Sequence, residues 1–230
     1  TRALETKTLY FNISTCSTTE DREGTITISG GNATQTITVK QSGVQEILEK
    51  EREVLIAFYE ATGGDNWTRN DNWCSDKPVG EWYGVETYQN GVIWGLHLGY
   101  NNLSGTITEE IGNLTNLESI DLGSNNLSGD IPTTIGNLNK LENLGLSQCN
   151  LTGSIPKEIG NLSKLRWLNL QFNSLTGSIP EELGNLENLE SITLSWNCLT
   201  GKVPASIMQL PIWEKQWQFI LHQSEGYGFS

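Results

Sequence analysis

The 230-residue chain is short of charge, and most of the charge it has is of one sign. Charged residues make up 18% of it, below the roughly 25% usual for a globular domain. Lys and Arg number 14 against 27 Asp and Glu, a net charge of −13. The excess is evenly spread, with 8 basic and 14 acidic residues in 1–92, 5 and 11 in 93–212, and 1 and 2 in the last eighteen. A duplex-binding surface needs a basic stripe that displaces counterions, so nucleic acid is excluded as a partner. No apolar run approaches the roughly 20 residues of a membrane span. The single methionine is Met208 and the chain begins at Thr1, which reads as a processed or truncated product whose leader or anchor would lie upstream. Two histidines and four scattered cysteines make no zinc spacing. Asp65, Asn66, Asn70, Asp71, Asn72 and Asp76 lack the central Gly and closing Glu of a calcium loop, and turn roles account for most of them. No metal or cofactor is expected.

Gly, Asn, Ser and Thr fill the gap that low charge and a 36% hydrophobic fraction leave, and they recur with a period. Ile93-Trp-Gly-Leu96, Leu117-Glu-Ser-Ile120, Leu141-Glu-Asn-Leu144, Leu165-Arg-Trp-Leu168 and Leu189-Glu-Ser-Ile192 align at a constant spacing of 24 residues. Each unit reads L-x-x-L-x-L-x-x-N-x-L-[ST]-G-x-I-P-x-x-I-G-N-L with few departures. The x-L-x-L stretch predicts a strand pairing in parallel with its copy in the next unit, its leucines turned inward. One unit cannot bury its own apolar face, so stability must come from stacking. The ninth place holds Asn101, Asn125, Asn173 and Asn197, with Cys149 in the third unit. A buried amide there satisfies backbone groups freed where the chain leaves the strand. Pro132, Pro156, Pro180 and Pro204 fix the return segment, and Thr108 stands in that place in the first unit.

This pattern resembles the leucine-rich repeat, and its L-[ST]-G-x-[IV]-P core resembles the plant-type subfamily. The resemblance implies an α/β fold: a right-handed solenoid with a parallel β-sheet on the concave face and short 3-10 or irregular segments on the convex one. Before the repeats, Val44, Ile47, Leu48, Leu55 and Phe58 fall at helical spacing, with Gly63-Gly64 as the stop. Trp67, Trp73-Cys74 and Trp82-Tyr83-Gly84-Val85 follow, a cluster suited to covering an open hydrophobic end. It resembles the N-terminal cap of plant-type repeats, without a second cysteine after Val85. Leu9–Ile13, Thr25–Ile28 and Thr36–Val39 alternate like strands. The last two, with the acidic run from Glu20, resemble the second half of the BACON module, a bacterial immunoglobulin-like domain, and three strands are too few for a complete sandwich. The expected divisions are therefore 1–43, a partial BACON-like module; 44–92, a helical, Trp-rich cap; 93–212, five repeats; and 213–230, a C-terminal cap. Cys149 and Cys198 lie two units apart, roughly 9.6 Å at ~4.8 Å per strand and beyond the ~7 Å reach of a disulfide, and all four thiols are expected to be free.

The repeat predicts which side chains face the concave surface: the third, fifth, seventh and eighth places. They bring Trp167, Phe172 and Trp196 together around Asn169 and Gln171 in units four and five, with His97, Tyr100, Asp121 and Gln148 nearer the start. Aromatic faces beside amides suit a peptide chain or a sugar ring. The alternative is that these aromatics pack beneath the closing segment with Trp213 and Trp217. His97 and Asp121 occupy one lane in adjacent units, where a carboxylate would favour charged histidine. Ser119 nearby invites comparison with a catalytic triad, but no nucleophile elbow accompanies it and an open face does not exclude water. The expectation is a non-catalytic module, exported to a bacterial cell surface as a lipoprotein or secreted, whose concave face binds a protein or peptide. The alternative is a mucin or polysaccharide ligand, because the BACON-like family is associated with carbohydrate binding.

Overall fold

A leucine or isoleucine at every first, fourth and sixth place of a 24-residue unit has nowhere to hide within that unit, and in the computed structural model these side chains stack into one continuous core. Residues 22–30, 33–41, 44–215 and 228–229 are described; the predicted strand Leu9–Ile13 and Cys16 lie outside them. The chain divides into two compact units, Thr1–Ile47 and Leu48–Ser230. In the first, β1 (Arg22–Gly30) and β2 (Ala33–Gln41) form an antiparallel hairpin in which Ile26 faces Ile37 across the ladder.

In the second unit, β3 (Val85–Thr87), β4 (Ile93–His97), β6 (Ser119–Asp121), β8 (Asn143–Gly145), β10 (Trp167–Asn169) and β12 (Ser191–Thr193) make a six-stranded sheet in the order β12-β10-β8-β6-β4-β3. β4, β6, β8, β10 and β12 are parallel and in strict register, so Leu96, Ile120, Leu144, Leu168 and Ile192 lie side by side. β3 runs antiparallel to β4. A second, three-stranded parallel sheet is built by β5 (Ser104–Thr106), β7 (Asn126–Asp130) and β9 (Asn150–Thr152), and further along β11 (Thr176–Gly177) pairs in parallel with β13 (Cys198–Gly201). Four 3-10 turns close the units: Glu109–Asn113, Thr133–Asn137, Lys157–Asn161 and Glu181–Asn185. Their I-G-N glycines are there for contact between units, since a Cβ on Gly136 would lie 2.5 Å from the Glu158 carbonyl oxygen and one on Gly160 2.4 Å from that of Glu182. No described helix is long and apolar enough to cross a membrane.

The ninth-place asparagines bind backbone of two units at once. Asn125 Oδ1 accepts from the Asn101 and Leu103 amides, both at 3.0 Å, while its Nδ2 donates to the Leu98 and Leu122 carbonyls at 2.9 and 2.7 Å. Asn173 and Asn197 repeat the arrangement, accepting from the Leu151 and Leu175 amides at 3.1 Å. At Cys149 the ladder is thinner: Sγ reaches the Leu122 carbonyl at 3.5 Å and faces the Asn125 and Leu127 amides. Burial pushes this thiol up from its ordinary value, ahead of the lowering by those two amides.

The helix α1 (Val44–Ala61) turns Val54, Leu55 and Phe58 into the core. Trp67, Trp73 and Trp82 are all buried and pack edge-on or tilted, with centroids 4.8 Å apart for Trp67/Trp73 and 5.1 Å for Trp73/Trp82. Their indole N–H groups reach the Thr62, Tyr83 and Lys77 carbonyls. Of the thiols, Cys74, Cys149 and Cys198 are free.

Two departures from the repeat should cost stability. Thr108 has the backbone of its proline counterparts, φ −80° and ψ 156° against −64° and 140° at Pro132, and its hydroxyl is buried without a partner. Thr108→Pro should stabilise by about 1 kcal/mol, by removing that group and stiffening the unfolded chain. Cys149→Asn, which completes the ladder, should add ~1–2 kcal/mol. Urea unfolding checks both, and a loss of stability in either would contradict this reading.

Glu51 supplies a pH test. It is buried, with Oε2 accepting from the Ile93 amide at 2.9 Å and Oε1 from Asn116 Nδ2 at 3.5 Å. Burial outweighs those bonds and raises its pKa. A carboxyl with a raised folded-state pKa gives stability in acid, below its unfolded value of about 4.3, and loses it as pH rises through the folded value. Unfolding of Glu51→Gln between about pH 4 and 7 should therefore show the variant gaining on the wild type as pH rises; parallel curves would refute the assignment.

Candidate functional site

Because the strands are in register, each repeat position becomes a row across the six-stranded sheet. The third places run Gly95, Ser119, Asn143, Trp167 and Ser191, and the fifth His97, Asp121, Gly145, Asn169 and Thr193. The eighth place ends each strand in a left-handed turn: φ is 55° at Tyr100, 56° at Ser124, 54° at Gln148, 55° at Phe172 and 57° at Trp196. The fold demands that conformation in every unit, and it favours Gly or Asn. An aromatic there is chosen for its side chain and against its backbone.

Tyr100 is 81% exposed, Phe172 and Trp196 43%, and Trp167 38%. The rings of Phe172 and Trp196 stack at 5.7 Å with 7° between their planes. Beside them, Asn169 Oδ1 accepts from Thr193 Oγ1 at 2.7 Å and from the Gln171 amide at 3.3 Å. Gln148 Oε1 accepts from Ser124 Oγ at 2.9 Å. Units four and five thus gather Trp167, Asn169, Gln171, Phe172 and Trp196. His97, Tyr100 and Asp121 stand apart in units one and two, with Gln148 between. Trp213 packs partly buried on the core, and Trp217 lies outside the described residues.

His97 and Asp121 pair as neighbours in the ladder, yet their side chains do not meet. Asp121 Oδ1 accepts from the amide of Gly123 at 3.0 Å. The carboxylate instead sits over a bare floor, where a Cβ on Gly99, Gly123 or Gly145 would come within 3.2–3.4 Å of its oxygens. The carboxylate at His97 is that of Glu86, on antiparallel β3, with Oε1 3.0 Å from Nδ1. His97 Nε2 lies 2.9 Å from Ser119 Oγ, which also accepts from Asn143 Nδ2 at 3.1 Å. Glu86, His97, Ser119 and Asn143 therefore form one polar chain across three parallel strands and their antiparallel neighbour. The spacing is that of a serine beside a carboxylate-oriented histidine, but the serine lies on an open sheet face that does not exclude water and its oxygen also accepts from Asn143, so the bonds brace these side chains against one another.

The second place of each unit lies outside the rows expected from the sequence to face a ligand. Backbone bonds link Trp94, Glu118, Glu142, Arg166 and Glu190 in series along the strand-entry edge, Glu118 N to Trp94 O at 2.7 Å and each following amide to the preceding carbonyl at 2.8 Å. Trp94, Glu118, Ser119, Glu142, Asn143 and Trp167 line an open groove of ≈ 430 Å³ there. Counting this place with the other lanes would have found it. The lanes named from sequence are nearly neutral; this one is not.

These repeats match the model of a leucine-rich repeat region over residues 88–210, more than half of the chain. The chain belongs to the leucine-rich repeat family. Residues 1–42 match BACON, described as a putative N-terminal binding domain. No curated protein matches. Among solved structures, this leucine-rich repeat chain is similar to the ectodomain of the Arabidopsis thaliana receptor kinase GASSHO1/SCHENGEN3 in complex with CASPARIAN STRIP INTEGRITY FACTOR 2, at 34% identity and a TM-score of 0.66, over 76% of this chain and 21% of that one. It is also similar to the Arabidopsis receptor kinase HAESA, in complex with the peptide hormone IDA and the co-receptor SERK1, at 27% identity and a TM-score of 0.65, over 71% of this chain and 28% of that one. The Arabidopsis thaliana BIR2 ectodomain matches at 27% identity and a TM-score of 0.63, over 68% of this chain and 86% of that one. The chain thus spans under a third of the two complexed receptors and most of BIR2.

Proposed function

We propose that the chain is a non-catalytic binding module that holds a protein or peptide against its six-stranded sheet. The observation that carries this reading is the eighth-place turn, where the backbone favours Gly or Asn and three of five units carry a large, exposed aromatic. Stacked Phe172 and Trp196 and the neighbouring Trp167 offer flat apolar contact, and the Asn169 and Gln171 side chains beside them offer polar contact to a peptide backbone. The complexes of GASSHO1 and HAESA, each with a peptide or protein factor on this type of scaffold, support the partner class. The likeness to ectodomains supports export, and the BACON match supports display on a bacterial cell surface, as a lipoprotein or a secreted protein.

A glycan ligand is the second reading, favoured by the stacked ring pair, a platform of the kind sugars use, and by the BACON match. Selection of peptides from a displayed random library, run beside an array of mucin glycans and polysaccharides, separates the two. Peptide binders should be recovered, and Trp167→Ala or Phe172→Ala should weaken them at least about tenfold, the loss of one anchoring ring, with unfolding midpoints little changed. Glycans bound while peptides are not, or peptide binding untouched by both substitutions, would overturn the proposal.

A further inference from the structure

The groove along the strand-entry edge has features that the aromatic platform lacks. Its ends are tryptophans: Trp94 in the first unit, edge-on to His97 at 6.0 Å, and Trp167 in the fourth. Three strand steps separate those units, roughly 14 Å between backbones, which leaves space for one side chain between the rings. Two carboxylates, Glu118 and Glu142, lie between the tryptophans, with Ser119 and Asn143 beside them.

The charges around the groove do not cancel. Arg166 reaches the groove wall and is shared: its Nε donates to Glu190 Oε1 at 2.9 Å, its Nη1 lies 3.7 Å from Glu142 Oε2, and its guanidinium rests 4.2 Å over the Trp167 ring. Lys140 turns to Asn116 Oδ1 at 2.8 Å. Among the described residues Glu118 has no cationic partner and takes only the Tyr88 hydroxyl. Burial, together with the Glu118 and Glu142 carboxylates, pushes the Tyr88 phenol up to about 12. Arg166 over Trp167 also shows within this chain the geometry a guanidinium adopts on such a wall.

We propose that the groove is a cation slot, receiving a Lys or Arg side chain of a peptide bound on the sheet, with its charge over Glu118 and Glu142 and its stem between Trp94 and Trp167. This rests on the peptide-binding reading of the face. A neutral apolar side chain would fill the slot but leave Glu118 desolvated without a counter-charge, so the slot selects for charge as well as shape. Ser119 and Asn143, already joined to His97 and Glu86, keep the floor polar.

The test uses the full chain and three acetylated, amidated pentapeptides, Ala-Ala-X-Ala-Ala with X as lysine, arginine or norleucine, followed by the Trp94 and Trp167 indole N–H signals in NMR titrations. The lysine and arginine peptides should shift both signals, bind at least about tenfold more tightly than the norleucine peptide, and weaken with salt. Glu118→Gln with Glu142→Gln should remove about tenfold. The slot is overturned if norleucine binds as well, if the double variant binds undiminished, if no peptide shifts the indoles at ~10 mM, or if a chitin oligosaccharide shifts them in place of the peptides. A library-selected peptide that requires Phe172 but ignores both glutamines would sink the slot and leave the sheet-face reading intact.

Discussion

The buried asparagine that ties each turn to its neighbours is the constraint on which the rest depends. A chain leaving a strand every 24 residues exposes amides and carbonyls to an apolar interior, where each unpaired group costs about 1–3 kcal/mol. A single side-chain amide has both donors and an acceptor, and Asn125 uses them on Asn101, Leu103, Leu98 and Leu122 together. That bond set fixes the pitch of one unit on the next. Register across the sheet follows, and from register follow the rows of side chains that make up its face.

Most of this architecture was readable in the residues. Leucines at fixed places, the asparagine at the ninth and the proline of the return segment each have one physical role, and their spacing holds through five units, with Cys149 and Thr108 the departures from the asparagine and the proline. The face was readable only in part. Which residues share a row depends on the period alone, so the meeting of Trp167, Phe172 and Trp196 was visible. Which atoms touch depends on where each side chain turns. His97 was expected beside Asp121 and lies against Glu86, because β3 is an antiparallel strand outside the repeat and its position opposite β4 is written in no periodicity. Asp121, in turn, found a backbone amide two residues on, a local partner that a row-by-row reading does not consider.

The acidic excess changes meaning in the same way. Counted along the sequence it is even, and the lanes predicted to face a ligand are nearly neutral. Folded, Glu118, Glu142 and Glu190 fall on one edge of the sheet with only Arg166 among them, while the opposite edge, where the strands end, carries Tyr100, Phe172 and Trp196 in left-handed turns. One face thus presents an acidic, tryptophan-bounded rim and an apolar aromatic rim, with Asp121 on a glycine floor between. A chain laid from one rim to the other would meet different chemistry at its two ends.

The claim that the asparagine bonds hold the stack is most directly tested by native-state hydrogen exchange. The Leu103, Leu151 and Leu175 amides, each donated to an asparagine oxygen, should exchange only when the whole repeat array opens, whereas the Leu127 amide, which faces Cys149 sulfur, should exchange roughly tenfold faster. Equal protection at all four positions, or rapid exchange at the three asparagine-bound amides, would contradict the account.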